Sequence, residues 1–475
     1  MGIKLLENIK PVGKQYEVMA IRPEGHIVVL GTAGSGKTTI AMLRACHLAN
    51  LPGNDKVLLV TFNGALVKYM QEIIGRYNDK LVVESYHKFA RGYLNSRGKM
   101  TLNSILKPEE KEFYINCALD WYRENYPMES TLKRESTFFV DEITFIERFG
   151  FTKFDEYYIA ERIGRASANI KRANRKWIFK VYEKYLEIRN QKGKTYDWDD
   201  LALYVYNEFK KDDTERKYTH IIVDEGQDFS PMMIKSLVSG VKEGGSFTFF
   251  GDVAQQIYGS RLSWRDSGIK PSKIWRFDAN YRNPSTIVAL AKQITKSKYW
   301  IEDEDMVEAT NHMAEGPKPI LIEFSDIQHE INWIVEQSIV TSKNSSTVIV
   351  CRNRRDIDLF AYVIKSNNHI ATVIDKNTPG YPNVKKIYLT TFHAAKGLEF
   401  ENVFIPFLSC DRFPDPEAVN NYTSMEEFYA DEIKLLYVAV TRSKYGLYMT
   451  YSGNVSPLIP KESSSYDFFY EEQIK

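Results

Sequence analysis

Residues whose types and spacing can do chemistry gather first at Gly31-Thr32-Ala33-Gly34-Ser35-Gly36-Lys37-Thr38, followed by Thr39. The run fits G-x-x-x-x-G-K-[ST]. In that pattern the glycines let backbone N–H groups face phosphate oxygens, the lysine reaches the terminal phosphates, and the hydroxyl after it faces Mg²⁺. Gly34, Ser35, Gly36, Lys37, Thr38 and Thr39 are therefore the candidate phosphate cradle, with Thr38 at a helix N-terminus as a metal ligand. Hydrolysis also needs carboxylates at the end of a neighbouring strand, and Ile221-Ile222-Val223-Asp224-Glu225 supplies them. Asp224 is suited to hold Mg²⁺ through water, and Glu225 to orient and deprotonate an attacking water. The chemistry implied is metal-assisted hydrolysis of a nucleoside triphosphate.

The elements that must position these groups are legible as alternating patterns. Residues 26–31 and 56–61 are short apolar, β-branched runs, each followed by a helix-like stretch, residues 38–50 and 64–74. That is βαβ logic, which predicts an α/β fold with a parallel sheet. Residues 107–209 change texture to aromatic-rich segments with helical spacing, such as 111–126 and 172–189, which predicts a helical insertion. Strand character returns at 220–223 and 246–250. A second α/β unit begins near Tyr281, with strands at 319–324, 346–351, 371–374, 386–390 and 403–407 and a helix at 354–365. The segment after Ser452, which carries proline and serine, reads as loop.

From here a series of ordered motifs resembles the UvrD/Rep-like superfamily 1 DNA helicases. Asp224-Glu225-Gly226-Gln227-Asp228 resembles D-E-x-Q-D, Thr61-Phe62-Asn63 resembles the motif after the second strand, and Ser85-Tyr86-His87-Lys88-Phe89-Ala90 resembles T-x-H-S-F-A. Gly251-Asp252-Val253-Ala254-Gln255-Gln256-Ile257-Tyr258 resembles G-D-x-x-Q-S-I-Y, and Asn280-Tyr281-Arg282 matches N-Y-R. Thr391-Phe392-His393-Ala394-Ala395-Lys396-Gly397-Leu398-Glu399-Phe400 matches T-x-H-x-A-K-G-L-E-F, and Leu436-Tyr437-Val438-Ala439-Val440-Thr441-Arg442-Ser443 resembles L-x-Y-V-x-x-T-R-A. The resemblance implies two RecA-like P-loop motor domains with a helical insertion in the first. The expected division is 1–95 with 216–280 for the first motor domain, 96–215 for the insertion, 281–460 for the second motor domain and 461–475 for a C-terminal tail.

By the same resemblance the substrate is ATP with Mg²⁺, bound between the two domains. Gln255 would sense the γ-phosphate, Tyr281 would stack on adenine, Arg282 and Arg442 would act as arginine fingers, Glu399 would touch the ribose, and Gln15 would read the adenine. The partner would be single-stranded DNA, met by Phe62, Asn63, Tyr86, His87, Tyr258, Thr391 and His393, with movement 3′ to 5′. RNA stays open, because stacking contacts do not read the 2′-OH. A protein partner also stays open. In that alternative the chain is a nucleotide-gated regulatory ATPase subunit that switches an effector such as a nuclease in a bacterial defence or repair complex.

Two departures narrow the expectation. The family places a large aromatic and then Arg-Gly after I-Y, where this chain has Gly259-Ser260-Arg261-Leu262, with Trp264 as a substitute stacker a little further on. The regulatory subdomain that relatives insert ahead of T-x-H-x-A-K-G is missing, since residues 376–389 are too few to form a domain. A compact translocating ATPase is expected. Arg162, Arg165, Lys171, Arg172, Arg175 and Lys176 form a basic stretch that fits either a phosphate backbone or a solvated helix face, and residues 196–201 (YDWDDL) read as structural.

Bulk composition sets the outer limits. A chain of 475 residues has room for several cores, and 63 Lys+Arg against 62 Asp+Glu mean that any nucleic-acid site is a local patch. The four cysteines show no metal or disulfide spacing, which fits a reducing compartment. No apolar run nears the roughly 20 residues of a membrane span. A cytoplasmic protein that contacts no membrane is expected.

Overall fold

Strands covered on both faces need no polar alternation, so short runs of valine, leucine and isoleucine suffice to build a central sheet. The computed structural model describes residues 9–474 apart from 54, 76–78, 161–169, 253, 255–263, 265–266, 302–305, 310, 315, 375–383, 423 and 462. In it those runs are β1 (Gly25–Gly31), β2 (Val57–Thr61), β3 (Leu81–Ser85), β4 (Tyr218–Val223), β5 (Val241–Gly251) and β6 (Ile274–Phe277). They pair in parallel in the order β3-β2-β4-β5-β1-β6. Alternate residues feed two apolar layers: Val28, Leu30, Leu58 and Val60 on one face, Ile27, Val29, Val57 and Leu59 on the other. Helices α1 (Lys14–Ala20), α2 (Lys37–Ala49), α3 (Gly64–Ile74) and α4 (Tyr86–Ser96) accompany the first three strands. β1 delivers Gly31 to the phosphate loop, and β4, with only β5 between, delivers Asp224 to the same end of the sheet.

The helical insertion has its own interior. α5 (Pro108–Asn125), α6 (Ser136–Phe149), α7 (Phe154–Ile159) and α8 (Arg175–Gln191) enclose Ile115, Leu119, Phe139, Ile143, Ile178 and Val181. α9 (Leu201–Phe209) instead gives Leu201, Val205 and Phe209 to the core of the first sheet, beside α10 (Pro231–Ser239). The turn between these two cores is ionic. Lys111 Nζ lies 2.6 Å from Glu147 Oε2 and 2.8 Å from Asp199 Oδ2, and Arg189 Nη1 lies 2.6 Å from Asp200 Oδ2. Asp197 Oδ1 accepts the backbone N–H groups of Asp199 and Asp200, which closes the turn. Glu147, Asp197 and Asp199 are spaced closely enough to hold a metal, but the Lys111 ammonium already sits among them, with Arg148 and Arg189 alongside.

The basic stretch divides on inspection. Arg175 is buried and its Nη1 donates to the carbonyls of Tyr157, Tyr158 and Ala160, closing the C-terminus of α7, so neither expectation for it holds. Lys171, Arg172 and Lys176 are exposed, and Arg162 and Arg165 lie outside the described residues.

The second sheet follows a parallel pair, β7 (Ala279–Pro284) with β8 (Asn311–Ala314), and the helix α11 (Ser285–Thr295). Its strands are β9 (Ile320–Phe324), β10 (Thr347–Cys351), β11 (Ala371–Val373), β12 (Ile387–Thr391), β13 (Phe400–Ile405), β14 (Ser443–Ser452) and β15 (Asp467–Tyr470). All pair in parallel in the order β11-β12-β10-β13-β14-β9-β15, with α12 (Ile327–Ser342), α13 (Arg354–Ser366) and α14 (Met425–Val440) between them. The expected loop-like tail is corrected here. Residues 467–470 pair with Ile320 to Glu323 as the edge strand, and Ser409 bridges Val455. Only residues 374–386 join β11 to β12, too short a connection for a subdomain. Among the described residues no helix is long and apolar enough to cross a membrane.

Candidate active site

The phosphate loop is shaped by the two glycines that take left-handed backbone, Gly34 (φ 73°) and Gly36 (φ 82°), the latter capping α2. A Cβ on Gly34 would collide with Asn280 Oδ1 and lie 2.7 Å from Arg282 Cβ, because β7 crosses directly over the loop. The Tyr281 N–H donates to the Gly34 carbonyl at 2.8 Å. Lys37 is buried and folded back, its Nζ donating to the carbonyls of Gly31 (2.9 Å) and Thr32 (2.7 Å) and lying 3.5 Å from Asp252 Oδ2. Gln15 leans on the same loop, Nε2 donating to the Ser35 carbonyl at 3.0 Å.

At the end of β4 the two acids differ. Asp224 is 1% exposed and neither carboxylate oxygen has a hydrogen bond of ordinary geometry. Burial, reinforced by the Glu225 charge, pushes it up to about 7 against the pull of Thr38 and Lys37. Glu225 takes a left-handed backbone (φ 53°) and accepts from Gln227 Nε2 at 2.5 Å. Burial would raise it, but Lys396 and Lys37 outweigh that and hold it below the ordinary carboxylate range. An orphaned buried carboxylate beside a threonine hydroxyl is a hard-oxygen donor set, and it fits Mg²⁺.

The opposite wall comes from the second sheet and its connections. A cavity of about 330 Å³ is lined by Gly34 to Thr39, Leu66, Tyr69 and Glu225 on one side and by Tyr281, Arg282, Gly397, Glu399, Arg442 and Lys444 on the other. Tyr281 leaves 40% of its surface exposed at this cavity. Glu399 is clasped by Arg282 through Oε1 and by Lys444 through Oε2 at 3.1 Å; burial opposes its ionisation, yet the two cations hold it at about 2. Arg442 is buried, its guanidinium donating to the carbonyls of Val438 (2.9 Å) and Leu398 (3.3 Å) and to Thr441 Oγ1 (3.0 Å). Thus Gln15, Lys37, Thr38, Thr39, Asp224, Glu225, Tyr281, Arg282, Glu399 and Arg442 gather around one cleft, while Gln255 lies outside the described residues.

The residues expected to meet a strand separate. Phe62 and His87 are half-buried and stand edge to face, ring centroids 5.4 Å apart, with Trp198 5.3 Å from His87. Asn63 caps α3 through Ala65 N–H and donates from Nδ2 to the Lys396 carbonyl at 3.1 Å, so it spans the cleft. Thr391 and His393 lie at the end of β12, where Thr391 Oγ1 accepts from Ala394 N–H. Tyr86 is corrected: it is 0% exposed and shares a hydrogen bond with buried Ser236, so its ring has no face for a base. Trp264 is half-buried and packs edge-on against Phe249 (5.1 Å) at the rim of the first core. Tyr258 lies outside the described residues.

Sequence reasoning missed Lys396, Asp228 and Lys444. Lys396 Nζ forms a buried ion pair with Asp228 Oδ1, joining the T-x-H-x-A-K-G segment to the D-E-x-Q-D segment. Both lie inside motifs already noticed, so the signal was position within a motif, without a side-chain partner to pair it with.

Comparison with known proteins follows the same division. Residues 13–274 match the UvrD/REP helicase N-terminal domain, and residues 275–381 and 370–454 match the UvrD-like helicase C-terminal domain. A probable DNA helicase of Mycoplasma pneumoniae is 25% identical over 464 residues, covering 89% of this chain and 80% of that protein. A putative ATP-dependent DNA helicase, YjcD, of Bacillus subtilis is 29% identical over 285 residues, covering 56% of this chain and 34% of that protein. DNA helicase II of Haemophilus influenzae is 25% identical over 313 residues, covering 59% of this chain and 40% of that protein. Two parallel sheets facing across a phosphate-loop cleft, matched along nearly their whole length, place this chain in the UvrD/Rep-like superfamily 1 helicases, an α/β family of ATP-dependent DNA helicases with two RecA-like motor domains.

Proposed function

We propose that this chain hydrolyses ATP to translocate 3′ to 5′ along single-stranded DNA. The observation that carries the proposal is the cleft itself: one cavity with a phosphate loop and a carboxylate pair on one wall and two arginines, a tyrosine and a glutamate on the other. On this reading residues 1–95 and 216–280 form the first motor domain, 96–215 the insertion and 281–460 the second motor domain. The direction of movement follows the family resemblance alone.

Roles follow from position. The backbone from Gly34 to Gly36 and the Lys37 ammonium bind the phosphates, and Thr38 with Asp224 would hold Mg²⁺, which offsets charge on the phosphates when bound. Glu225, kept ionised, accepts the proton of the attacking water. Arg282 and Arg442 stabilise charge that develops on the transferred phosphoryl group from the far wall. Tyr281 stacks on the adenine and Gln15 reads its edge. Each contact made from the far wall draws the cleft shut, and loss of the terminal phosphate removes it, so turnover becomes relative motion of two domains.

The test is phosphate release measured with and without single-stranded DNA. Stimulation of tenfold or more is expected, on the order of what strand-induced closure can add. Lys37→Ala and Glu225→Gln should each lower turnover by at least about a hundredfold, consistent with removal of a main electrostatic or base contribution. A rate indifferent to DNA but raised by a protein partner would replace the translocase reading with that of a regulatory ATPase subunit.

A further inference from the structure

β14 does not keep register with β13. Phe400 faces Ser443, whereas Asn402 faces Gly446, so β14 carries one extra residue across that interval. The bulge is fastened on several sides. Ser443 Oγ donates to the Gly446 carbonyl at 2.9 Å, and Asn283 Nδ2 donates to the carbonyls of Thr441 (3.0 Å) and Ser443 (2.6 Å). A Cβ at Gly446 would collide with Asn402 Oδ1, so a larger residue there would have to push the Asn402 side chain aside. A bulge of this kind re-aims a side chain that regular pleating would send elsewhere.

The side chain it re-aims is Lys444. It is 37% exposed, lines the cavity, and places Nζ 3.1 Å from Glu399 Oε2. The other oxygen of the same carboxylate is held by Arg282. One anion is therefore shared by two cations, and only one of the two is wanted at the terminal phosphate.

We infer that Lys444 is a positioning residue for turnover: it holds Glu399 while Arg282 leaves that carboxylate for the γ-phosphate. The inference deepens the ATP-hydrolysis reading and rests on it. Without Lys444, Arg282 would be the principal counter-charge of Glu399, and every turnover would have to break that pair and strand a half-buried carboxylate. With Lys444 present the carboxylate stays compensated after Arg282 departs, and it remains fixed where the ribose is expected. Lys444 need not touch the nucleotide for this to work.

The experiment is steady-state ATP hydrolysis by the full chain with saturating single-stranded DNA, comparing the parent with Lys444→Met, Lys444→Arg, Glu399→Gln and the double variant. Lys444→Met should lower kcat by about three- to fivefold, the scale of a partly exposed ion pair, with KM for ATP within about twofold of the parent. Lys444→Arg should restore the rate. In the Glu399→Gln background there is no carboxylate left to detain Arg282, so adding Lys444→Met should change kcat no further. An unchanged kcat, a loss confined to KM, an arginine variant no better than the methionine variant, or the same fold loss in both backgrounds would each overturn the role given to Lys444. None of those results touches the ATP-hydrolysis reading, which Lys37→Ala tests on its own.

Discussion

His393 shows how one side chain reports its surroundings. Burial, with Arg352 and Lys396 close by, lowers it to about 4, so it stays neutral through the physiological range. It can donate or accept a hydrogen bond to a strand without bringing a charge. The shift also sets a sign for stability. Between about pH 6.5 and 4 the unfolded chain binds the proton that the folded chain refuses, so stability falls as pH drops through that window. His393→Gln removes this source of acid sensitivity. Its melting temperature should fall less than the parent's between pH 7 and pH 5, by an amount equivalent to about 1 kcal/mol after discounting for solvent screening. Identical acid profiles for the two proteins would show that His393 titrates normally. Residue chemistry of this kind was only half legible in the sequence. The types and spacing of Lys37, Asp224 and Glu225 made them the expected hydrolytic groups, and the fold brings them to one end of the first sheet. Tyr86 carried an equally suggestive type and turned inward, because aromatic rings serve a core as readily as a base.

At the scale of elements, the junction between insertion and first sheet depends on charges that cannot be left single. Lys111 faces Glu147, Asp197 and Asp199, and burial would push its proton off were those carboxylates not holding its pKa well above the ordinary value. Removing one partner of a buried ionic group costs about 3–5 kcal/mol, since the others are left uncompensated. Lys111→Met should therefore loosen α5, α6 and α8 selectively: their amides should exchange faster in hydrogen–deuterium exchange, while those of β1, β4 and β5 keep their protection. Uniform exchange across both regions, or no change at all, would contradict the junction role. The helices of this insertion were readable because their aromatic residues recur at helical spacing, and the strands β1, β2 and β4 because buried parallel strands are short apolar runs. β15 was not readable. Its Asp-Phe-Phe-Tyr run has too little pattern of its own and becomes a strand only by pairing with β9 along Ile320 to Glu323. The bulge that aims Lys444 was equally hidden, for it exists only in the register between β13 and β14.

For the molecule as a whole, the question is what keeps the cleft together before nucleotide enters. Contacts span it close to Asp224 and Glu225. Lys396 pairs with Asp228, both buried, and the Lys396 carbonyl accepts from Asn63 at 3.1 Å. Asp228 is raised to about 6 by burial, with Lys396 pulling it back, so its charge depends on the far domain staying in place. A motor built this way stores its resting geometry in a pair that closure or opening must rearrange, and the same lysine helps keep Glu225 ionised. Lys396→Met removes the cation and leaves Asp228 to face a methyl group across the gap. A compact chain of this length has a radius of gyration of about 23 Å. In small-angle X-ray scattering without nucleotide, the variant should be larger than the parent by about 1–2 Å, the order of a modest domain opening. Adding Asp228→Asn should return part of the difference, because the carboxylate stranded by the first substitution is then gone. A non-hydrolysable ATP analogue with single-stranded DNA should close both variants to the parent's ligand-bound dimension, since the phosphate contacts from Arg282 and Arg442 do not depend on Lys396. Scattering curves that superimpose for Lys396→Met and the parent would mean that the two domains are held by their remaining contacts, and that the pair serves Glu225 alone.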